Sequence, residues 1–297
     1  RLAPSGEERL VDVSQLHEAV RARKKYDAVG GDVALMGDVL AAYRMRIDVT
    51  ERKRKEVSRQ FELFIRDLLT RAQERLGKVA EKSRAAYAAD LARGYEVYVR
   101  IFHQAEQLTG MMLNMAEVQF AVGDTLAAGH GSLRLADRLP ETDPERDDAL
   151  YDAVVYLQDF LRSTAIASGY SDRALARSAL RRAATELLRY PLQEEKQRLV
   201  KLAIAMSLYD EGRFYEAIDR LTAVAYEYPG SEESGVAIRL VLDSYNSLNE
   251  FESLIEAGRR FLAEGSPADE ELRRQIRPVA AAAEQRMLDE VSLEAAG

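Results

Sequence analysis

The sequence predicts an all-α fold in which antiparallel helical hairpins stack as a superhelical array behind long N-terminal helices. Two observations favour helix throughout. Ala, Leu, Arg and Glu are abundant, whereas only 17 of 297 residues are Gly and 7 are Pro, and apolar residues recur at steps of three and four. The third observation is an internal repeat of small residues, glycine and proline, which predicts the hairpins. No segment shows the alternation typical of a strand.

Composition and charge restrict the classes of function. The chain carries 42 Lys and Arg against 50 Asp and Glu, a formal net charge of −8, so we expect no nucleic-acid partner. The absence of cysteine excludes disulfides and thiolate metal sites. No apolar run approaches the roughly 18 residues of a membrane-spanning helix. Because the opening RLAPSGEERL lacks an initiator Met, we expect either a removed presequence or a longer parent protein.

The N-terminal region, residues 1–108, is predicted to consist of long helices. Ser5 and Glu8 have the spacing of a capping box, which begins the first helix. The VGG at 29–31 is predicted to break that helix, and Asp32 to cap the next.

The second helix is predicted to continue to about Leu76 and to end at Gly77. Its apolar residues follow helical steps, which favours burial within the chain over a coiled-coil contact with another chain. A third helix is predicted to end at Thr109-Gly110. The apolar stripe of the second helix consists of Phe61, Phe64, Ile65, Leu68, Leu69, Ala72 and Leu76.

Three later positions have the pattern of a helix N-terminus. Asp143 precedes Pro144, which combines an N-capping side chain with proline in the first turn. Asp172 and Ser266-Pro267 are interpreted in the same way.

The internal repeat consists of a small residue, a glycine seven positions later, a second small residue five further on, and a proline after another twelve. In a third, blurred copy Asn249 replaces the glycine, and three prolines recur at an interval of 38. Two copies keep every interval: Ala116, Gly123, Ala128 and Pro140, then Ala205, Gly212, Ala217 and Pro229. The evenly spaced prolines are Pro191, Pro229 and Pro267.

This pattern has the physical requirements of a helical hairpin. Small residues allow two helices to cross closely, and Gly or Asn accepts the left-handed conformation that often ends a helix. Proline then stops the second helix, because it lacks the N–H that the helix would need.

The spacing resembles that of the tetratricopeptide repeat, a helix–turn–helix unit of about 34 residues. Lys201 and Met112 stand where that family often carries a large aromatic residue. The resemblance implies that residues 109–297 form a repeat region. Within it we expect copies at 109–142 and 198–231, a degraded copy at 235–268, an irregular stretch at 143–197 and a C-terminal capping helix at 269–294.

In this family the first helices of the repeats line a concave wall that binds peptides or partner helices. Only Asn114 and Arg239 suit the recognition of a terminal carboxylate, so the resemblance implies a mixed apolar and acidic groove for a partner helix or a basic segment. The implied wall residues are Asn114, Glu117, Phe120, Met206, Tyr209, Asp210, Arg239, Asp243 and Asn246.

Candidates for catalysis and metal binding are few. His103 and Glu106 would share a helix face but have no third ligand, and His17 and His130 have no partner motif. The AAGHGS at 127–132 lacks the Lys-Ser/Thr of a phosphate loop. We therefore predict no catalytic residue, no metal site, no cofactor and no enzymatic activity.

Two other clusters are interpreted as structural. Residues 44–59 hold seven basic and three acidic side chains, most simply the solvated face of a long helix, although such a segment also suits anionic lipid, nucleic acid or an acidic protein. Met111, Met112 and Met115 lie at helical spacing and are predicted to belong to the core rather than to an adaptable binding surface.

The expected function is that of a non-enzymatic scaffold or adaptor in a multiprotein assembly. The composition, the missing Met and EFESLIEAGRRFLAEG at 250–265 resemble repeat proteins of bacterial envelope and gliding machinery. This implies a periplasmic or envelope location and membrane-associated protein partners, without a membrane span. The alternative is a cytoplasmic regulator that senses a peptide or sequesters a partner.

Overall fold

A computed structural model describes residues 28–163 and 169–296 of the chain. The regular structure in these ranges consists of twelve α-helices without a strand, which confirms the all-α prediction. The helices are α1 (Val29–Arg44), α2 (Glu51–Leu76), α3 (Glu81–Ile101), α4 (Leu108–Ala121), α5 (Thr125–Ala136), α6 (Pro144–Arg162), α7 (Tyr170–Leu187), α8 (Glu194–Tyr209), α9 (Phe214–Glu227), α10 (Glu232–Ser247), α11 (Phe251–Leu262) and α12 (Glu270–Ala296). The predicted capping box at Ser5 and Glu8 lies outside the described residues, as does His17.

The chain divides into two compact units, with the boundary between Tyr156 and Leu157, inside α6. In unit 1, α1 packs on α2 and α3, and the chain continues through α3 against α4 and α4 against α5. In unit 2, each helix from α7 to α12 packs on the next one, and α8 also contacts α10. This order of packing is that of a helical repeat array. None of the described helices combines the length and apolar character required to cross a bilayer.

The helices α1 and α3 of unit 1 cross at glycines. The Gly30 N–H donates to Asp90 Oδ2 at 2.8 Å, and a Cβ at Gly30 would lie only 2.1 Å from the Asp90 carbonyl oxygen. On α3, a Cβ at Gly94 would lie 2.7 Å from Leu69 Cδ2.

Residues 29–31, predicted to lie between two helices, instead form the start of α1, where glycine allows close packing. Asp32, predicted to cap this helix, lies in its first turn, and Ala28 occupies the N-cap position. The first predicted helix lies outside the described residues.

Two other predicted boundaries in unit 1 are corrected. The single helix expected from Asp32 to Leu76 is α1 and α2, separated by residues 45–50, and Thr50 caps α2 by accepting the Lys53 N–H at 3.3 Å. Thr109-Gly110 lies in the first turn of α4, where glycine costs little. The preceding break is the turn at 102–107, which backbone hydrogen bonds close without glycine or proline.

Other features of unit 1 agree with the predictions. Gly77 ends α2, and the apolar stripe of that helix is buried within the chain except at Leu76, which is half-buried. Met111, Met112 and Met115 are buried in the core. Both results follow from helical spacing, which places these side chains on the face that packs against neighbouring helices.

The three predicted hairpin turns share one geometry. Gly123, Gly212 and Asn249 adopt φ values of 81°, 76° and 58°. In each turn the N–H of this residue donates to the carbonyl three residues earlier, and the next N–H donates to the carbonyl five residues earlier. This is the Schellman arrangement. It joins α4 to α5, α8 to α9, and α10 to α11.

The other repeat positions also have their predicted roles. The four alanines of the two clear copies are at most 1% exposed, and each of the four repeat prolines lies between helices. Asp143 accepts the Glu145 N–H at 3.0 Å and begins α6. Asp172, predicted to cap α7, lies instead in its first turn, and Gly169 occupies the N-cap position. The cap predicted at Ser266-Pro267 is instead Asp269, which accepts the Leu272 N–H at 2.7 Å. The reason is that α12 begins at Glu270, three residues after Pro267.

Candidate functional site: the groove between α10 and α12

An apolar groove of about 680 Å³ lies between α10 and α12 in unit 2, with one residue from α11 at its base. Most of its lining side chains are aliphatic, and the polar ones are few. We call it the α10–α12 groove. Its lining residues are Arg239, Leu240, Leu242, Asp243, Asn246, Leu254, Leu272, Gln275, Ile276, Pro278, Val279, Ala282, Ala283 and Arg286.

The groove lies where the repeat departs from its pattern. In the clear copies, the residues seven before and five after the turn residue are alanines, buried at the crossing of two helices. In the third hairpin these positions are Leu242 and Leu254, and both line the groove. Packing of α10 on α11 is less extensive than packing of α8 on α9. Larger side chains at the crossing thus accompany a more open third hairpin, which α12 closes on one side.

Three predicted wall residues, Arg239, Asp243 and Asn246, line this groove from α10, and all three are exposed. Their neighbouring positions on α10 place them on one helix face. Asp243 Oδ2 accepts a hydrogen bond from the Tyr209 hydroxyl on α8. Burial and the hydrogen bond to Asp243 together raise the pKa of Tyr209 to about 12, which adds to the preference of this phenol for its protonated, hydrogen-bond-donating form.

The opposite wall is α12. Arg286 donates to Asn246 Oδ1 at 3.1 Å, and its guanidinium lies 5.7 Å from the centre of the Phe251 ring. Val279 lies on the same helix and is 42% exposed. Because Asn246 and Asp243 both have partners within the chain, the polar rim of the groove is largely satisfied.

Arg239 is the exception. Within residues 28–163 and 169–296 it has neither a hydrogen bond nor an ion pair, and its guanidinium nitrogens lie 3.7–4.0 Å from where a Gly235 Cβ would be. Asp243 is the sole carboxylate among the lining residues described, and the Tyr209 hydroxyl occupies one of its oxygens. The groove therefore combines apolar walls with an unpaired cation, a combination suited to an apolar segment that carries an acid.

The other predicted residues of unit 2 lie outside the groove lining. Met206 is half-buried in α8, and its sulfur accepts a hydrogen bond from Gln158 Nε2 at 3.7 Å. Asp210 follows the last residue of α8. Loss of hydration raises its pKa, and the charges of Arg173 and Arg177 oppose this shift. Tyr209 alone of the three connects α8 to the groove, through Asp243.

The predicted wall residues of unit 1 have their own surroundings on α4. Glu117 Oε2 accepts a hydrogen bond from Gln73 Nε2 at 3.2 Å. Phe120 is 40% exposed and stacks on Tyr156, with ring centres 4.4 Å apart. Asn114 is half-buried beside the Tyr95 hydroxyl, to which it hydrogen-bonds. These side chains form a polar and aromatic surface rather than an apolar groove.

The histidines do not assemble a site within the described part of the chain. His103 and Glu106 lie in the turn at 102–107, so the expected shared helix face does not exist. Burial, assisted by Arg134, lowers the pKa of His130. The glycines of the AAGHGS stretch lie inside α5. No cluster of His, Asp and Glu among the described residues has the arrangement of a metal site.

Sequence reasoning missed the α12 wall, including Gln275, Val279 and Arg286. The repeat projects wall positions onto first helices of hairpins, and α12 follows the last hairpin as a cap. The signal that was present is the pair of leucines, Leu242 and Leu254, in place of the crossing alanines.

Comparisons with known proteins assign no family. The chain matches no protein-family model and no curated protein. A solved structure described as "Computational Design of Self-Assembling Cyclic Protein Homooligomers" matches across 96% of this chain and 99% of the other, at 14% identity. Its TM-score of 0.21 is too low to support any inference about this protein.

Proposed function

We propose that the chain is a non-enzymatic scaffold or adaptor of the tetratricopeptide-repeat type, and that its α10–α12 groove docks an amphipathic segment of a partner protein. The observation that carries the proposal is the groove itself: aliphatic walls, a polar rim satisfied from within the chain, and one unpaired cation at Arg239. Apolar grooves of this kind receive helices through residues spaced at one helix face.

The charges of the groove favour an acidic partner segment over the basic one expected from the sequence. Two arginines and one aspartate line it. The partners of Asp243 and Arg286 are the uncharged Tyr209 and Asn246, so the lining keeps an excess of one positive charge, and Arg239 is the cation without a hydrogen bond among the described residues. A helix that buries leucine-like side chains between α10 and α12 and carries a carboxylate near Arg239 would satisfy both features.

The same features support docking over chemistry at this site. The described lining residues provide one carboxylate and no histidine, serine or lysine, so a nucleophile next to a base is not available there. The proposed assembly is a bacterial envelope, secretion or motility complex, on the strength of the sequence resemblance. Fractionation of cells that express the full-length gene tests this location, since a cytoplasmic protein would favour the regulator alternative.

Docking is tested by selecting peptides that bind the intact chain and then asking whether they bind at the α10–α12 groove. Phage-displayed helical peptides are selected on the wild type, and their Kd values are then measured by fluorescence polarisation on variants. We expect Val279→Glu to weaken binding at least tenfold, about 1.4 kcal/mol. Leu175→Glu is the matched control, since Leu175 is 58% exposed on α7 and lies outside the groove.

A charge exchange tests the contribution of Arg239. Peptides that carry an acidic residue should bind Arg239→Glu at least tenfold more weakly, and a Lys-for-Glu version of the same peptide should regain affinity on that variant. The combined Tyr209→Ala and Arg239→Ala variant should also lose binding. Equal effects of Val279→Glu and Leu175→Glu, or unchanged binding to the double variant, would contradict docking in this groove.

A further inference from the structure

Unit 1 presents two almost fully exposed apolar side chains within its most basic segment. Met45 is 82% exposed and Ile47 is 98% exposed. They lie in the loop between α1 and α2, and the basic residues follow in the first turns of α2. We call residues 44–59 the basic tip. It contains seven basic and three acidic residues, an excess of four positive charges.

Some of these charges are neutralised within the tip. Arg46 pairs with Asp48, and Lys55 pairs with Glu51 at 2.7 Å. Arg54 donates to the Arg46 carbonyl at 2.7 Å, which holds the loop against α2. The loop that carries Met45 and Ile47 is therefore held in place by an ion pair and a hydrogen bond within the basic tip rather than by burial of these two side chains.

Three other cations have no such partner. Among the described residues, the side chains of Arg52, Lys53 and Arg59 have no hydrogen bond or ion pair, and all three are exposed. Arg59 also lines a cavity of about 520 Å³ together with Arg44 and His103. Glu62 and Glu106 line the same cavity, and Arg44 is hydrogen-bonded to Ser58 there, so the recess is mixed in charge and the unpaired positive surface is that of the tip itself.

The distribution of the cations indicates what kind of surface they meet. Arg52, Lys53, Arg54 and Lys55 occupy successive helix positions, so they point in directions about 100° apart around the start of α2. A partner protein with one complementary face would contact only some of them. A flat, continuous anionic surface that meets α2 at its first turn would contact at once Arg52 and Lys53, the two of the four whose side chains have no partner among the described residues.

The apolar side chains suit the same surface. Met45 and Ile47 lie on a projecting loop, where a partner would need a pocket to cover them. A lipid surface receives such side chains between its headgroups, and neighbouring cations add an attraction to anionic lipids that salt screens. Hydrophobic insertion and charge are each weak when alone, so stable association requires both.

We infer that the basic tip binds anionic lipid bilayers peripherally, with Met45 and Ile47 inserted among the headgroups and Arg52, Lys53 and Arg59 in contact with lipid phosphates. The site lies in unit 1 and does not depend on the α10–α12 groove. Because contact is made by a loop and a helix end, the expected binding is reversible and decreases as salt increases.

The test is co-sedimentation of the intact chain with vesicles of phosphatidylcholine alone or with about one third phosphatidylglycerol, a fraction chosen to mimic an anionic leaflet. Wild type should bind only the anionic vesicles. Met45→Ser with Ile47→Ser should reduce binding at least fivefold, whereas Leu35→Ser should not. Leu35 is 52% exposed on α1, nine residues before its end, which makes it a matched apolar control.

Charge removal has a matched control at the other end of α2. Arg52→Gln with Lys53→Gln should reduce binding at least fivefold, whereas Lys78→Gln with Lys82→Gln should leave it within twofold. Lys78 is exposed just after the last residue of α2, and Lys82 is exposed in the first turn of α3. Equal losses in the two charge pairs would show attraction to net charge alone and would overturn the assignment to the tip.

Insertion itself is measurable because the chain contains no Trp, so Ile47→Trp provides a single tryptophan, which can be excited selectively in the presence of the 14 tyrosines. Its emission should shift to shorter wavelength with anionic vesicles and remain unchanged with polyglutamate or phosphatidylcholine vesicles. If the basic tip instead contacts an acidic protein, binding to anionic vesicles should survive Met45→Ser with Ile47→Ser. The Trp emission should then not shift on vesicles. That outcome would overturn the lipid assignment.

Discussion

The crossing of α1 and α3 in unit 1 and the hairpin of α8 and α9 in unit 2 both contain glycine, but in different backbone conformations. Gly30 has helical neighbours and lies against the Asp90 carbonyl, where a Cβ would come within 2.1 Å. Gly212 has φ of 76° and no atom within 4 Å of a Cβ position. The first position requires a missing side chain, and the second requires a left-handed backbone.

The small residues differ in the same sense. In the α8/α9 hairpin, alanines Ala205 and Ala217 are buried where the helices cross, and glycine is kept for the turn. In unit 1, Gly30 and Gly94 lie at the crossing itself. A glycine in a helical sequence thus has two structural meanings, and substitutions separate them.

The largest expected effect is that of Gly30→Ala. Because the obstacle is a backbone carbonyl rather than a flexible side chain, we expect a loss of about 3 kcal/mol or more in the stability of unit 1. Hydrogen exchange measured by mass spectrometry should show faster exchange in α1 and α3 and unchanged exchange in α8. Gly31→Ala is the control, since nothing lies within 4 Å of its Cβ position, and it should gain up to about 1 kcal/mol.

Among the described residues, the tyrosines with no exposed surface both lie in unit 1. Tyr95 and Tyr98 of unit 1 are fully buried. Burial raises the pKa of both, and for Tyr98 the hydrogen bond to Glu62 adds to the increase. A raised folded pKa favours the protonated phenol, so this stability is complete below the unfolded value near 10 and declines above it. At one pH unit above the unfolded pKa, each tyrosine should have lowered the free energy of unfolding by about 1.4 kcal/mol.

Urea unfolding between about pH 9 and about 11 measures this effect. Tyr95→Phe with Tyr98→Phe should flatten the decline in stability, although the variant begins about 2 kcal/mol lower because two hydrogen bonds are lost. The slope with pH is the readout, and an unchanged slope would show that these phenols are not responsible.

The turn glycines give a smaller effect. Gly212→Ala places a Cβ on a left-handed residue without a steric neighbour, so we expect a loss of about 1 kcal/mol. Gly123→Ala should lose the same amount, because its turn has the same conformation and hydrogen bonds. Thermal unfolding by circular dichroism measures both. A loss at Gly212 as large as that at Gly30 would contradict the distinction between the two regions.

The sequence predicted unit 2 better than the start of unit 1 for a physical reason. Three copies of the turn can be aligned with one another, so Gly212 in one copy identifies Asn249 as the turn residue of another. Counting from these turn residues along the repeat predicted Arg239 as a wall residue, and it lines the groove. The glycines of α1 have no second copy. The contact of Gly30 with Asp90 is made across 60 residues of chain, and nothing local distinguishes Gly30 from a helix-breaking glycine.

The candidate site divides in the same way. The α10 wall was predictable because Arg239, Asp243 and Asn246 occupy repeat positions. The α12 wall depends on how the cap packs against the third hairpin, which is a tertiary property with no repeat to copy. Leu242 and Leu254 were visible in the sequence in place of the crossing alanines. That they open a groove could be seen only from how the two helices of the third hairpin cross.

The smallest expected effect concerns Asn249, the left-handed residue of the third hairpin, with φ of 58°. Asn tolerates this conformation less well than Gly, so Asn249→Gly should stabilise unit 2 by about 0.5 kcal/mol, and Gly212→Asn should cost a similar amount. Urea unfolding of the two single variants and their combination measures both terms. If the backbone conformation alone sets the preference, the effects have opposite signs and the combined variant has the stability of the wild type. A loss on Asn249→Gly would instead show that the Asn side chain contributes to the third hairpin, the hairpin that forms one wall of the α10–α12 groove.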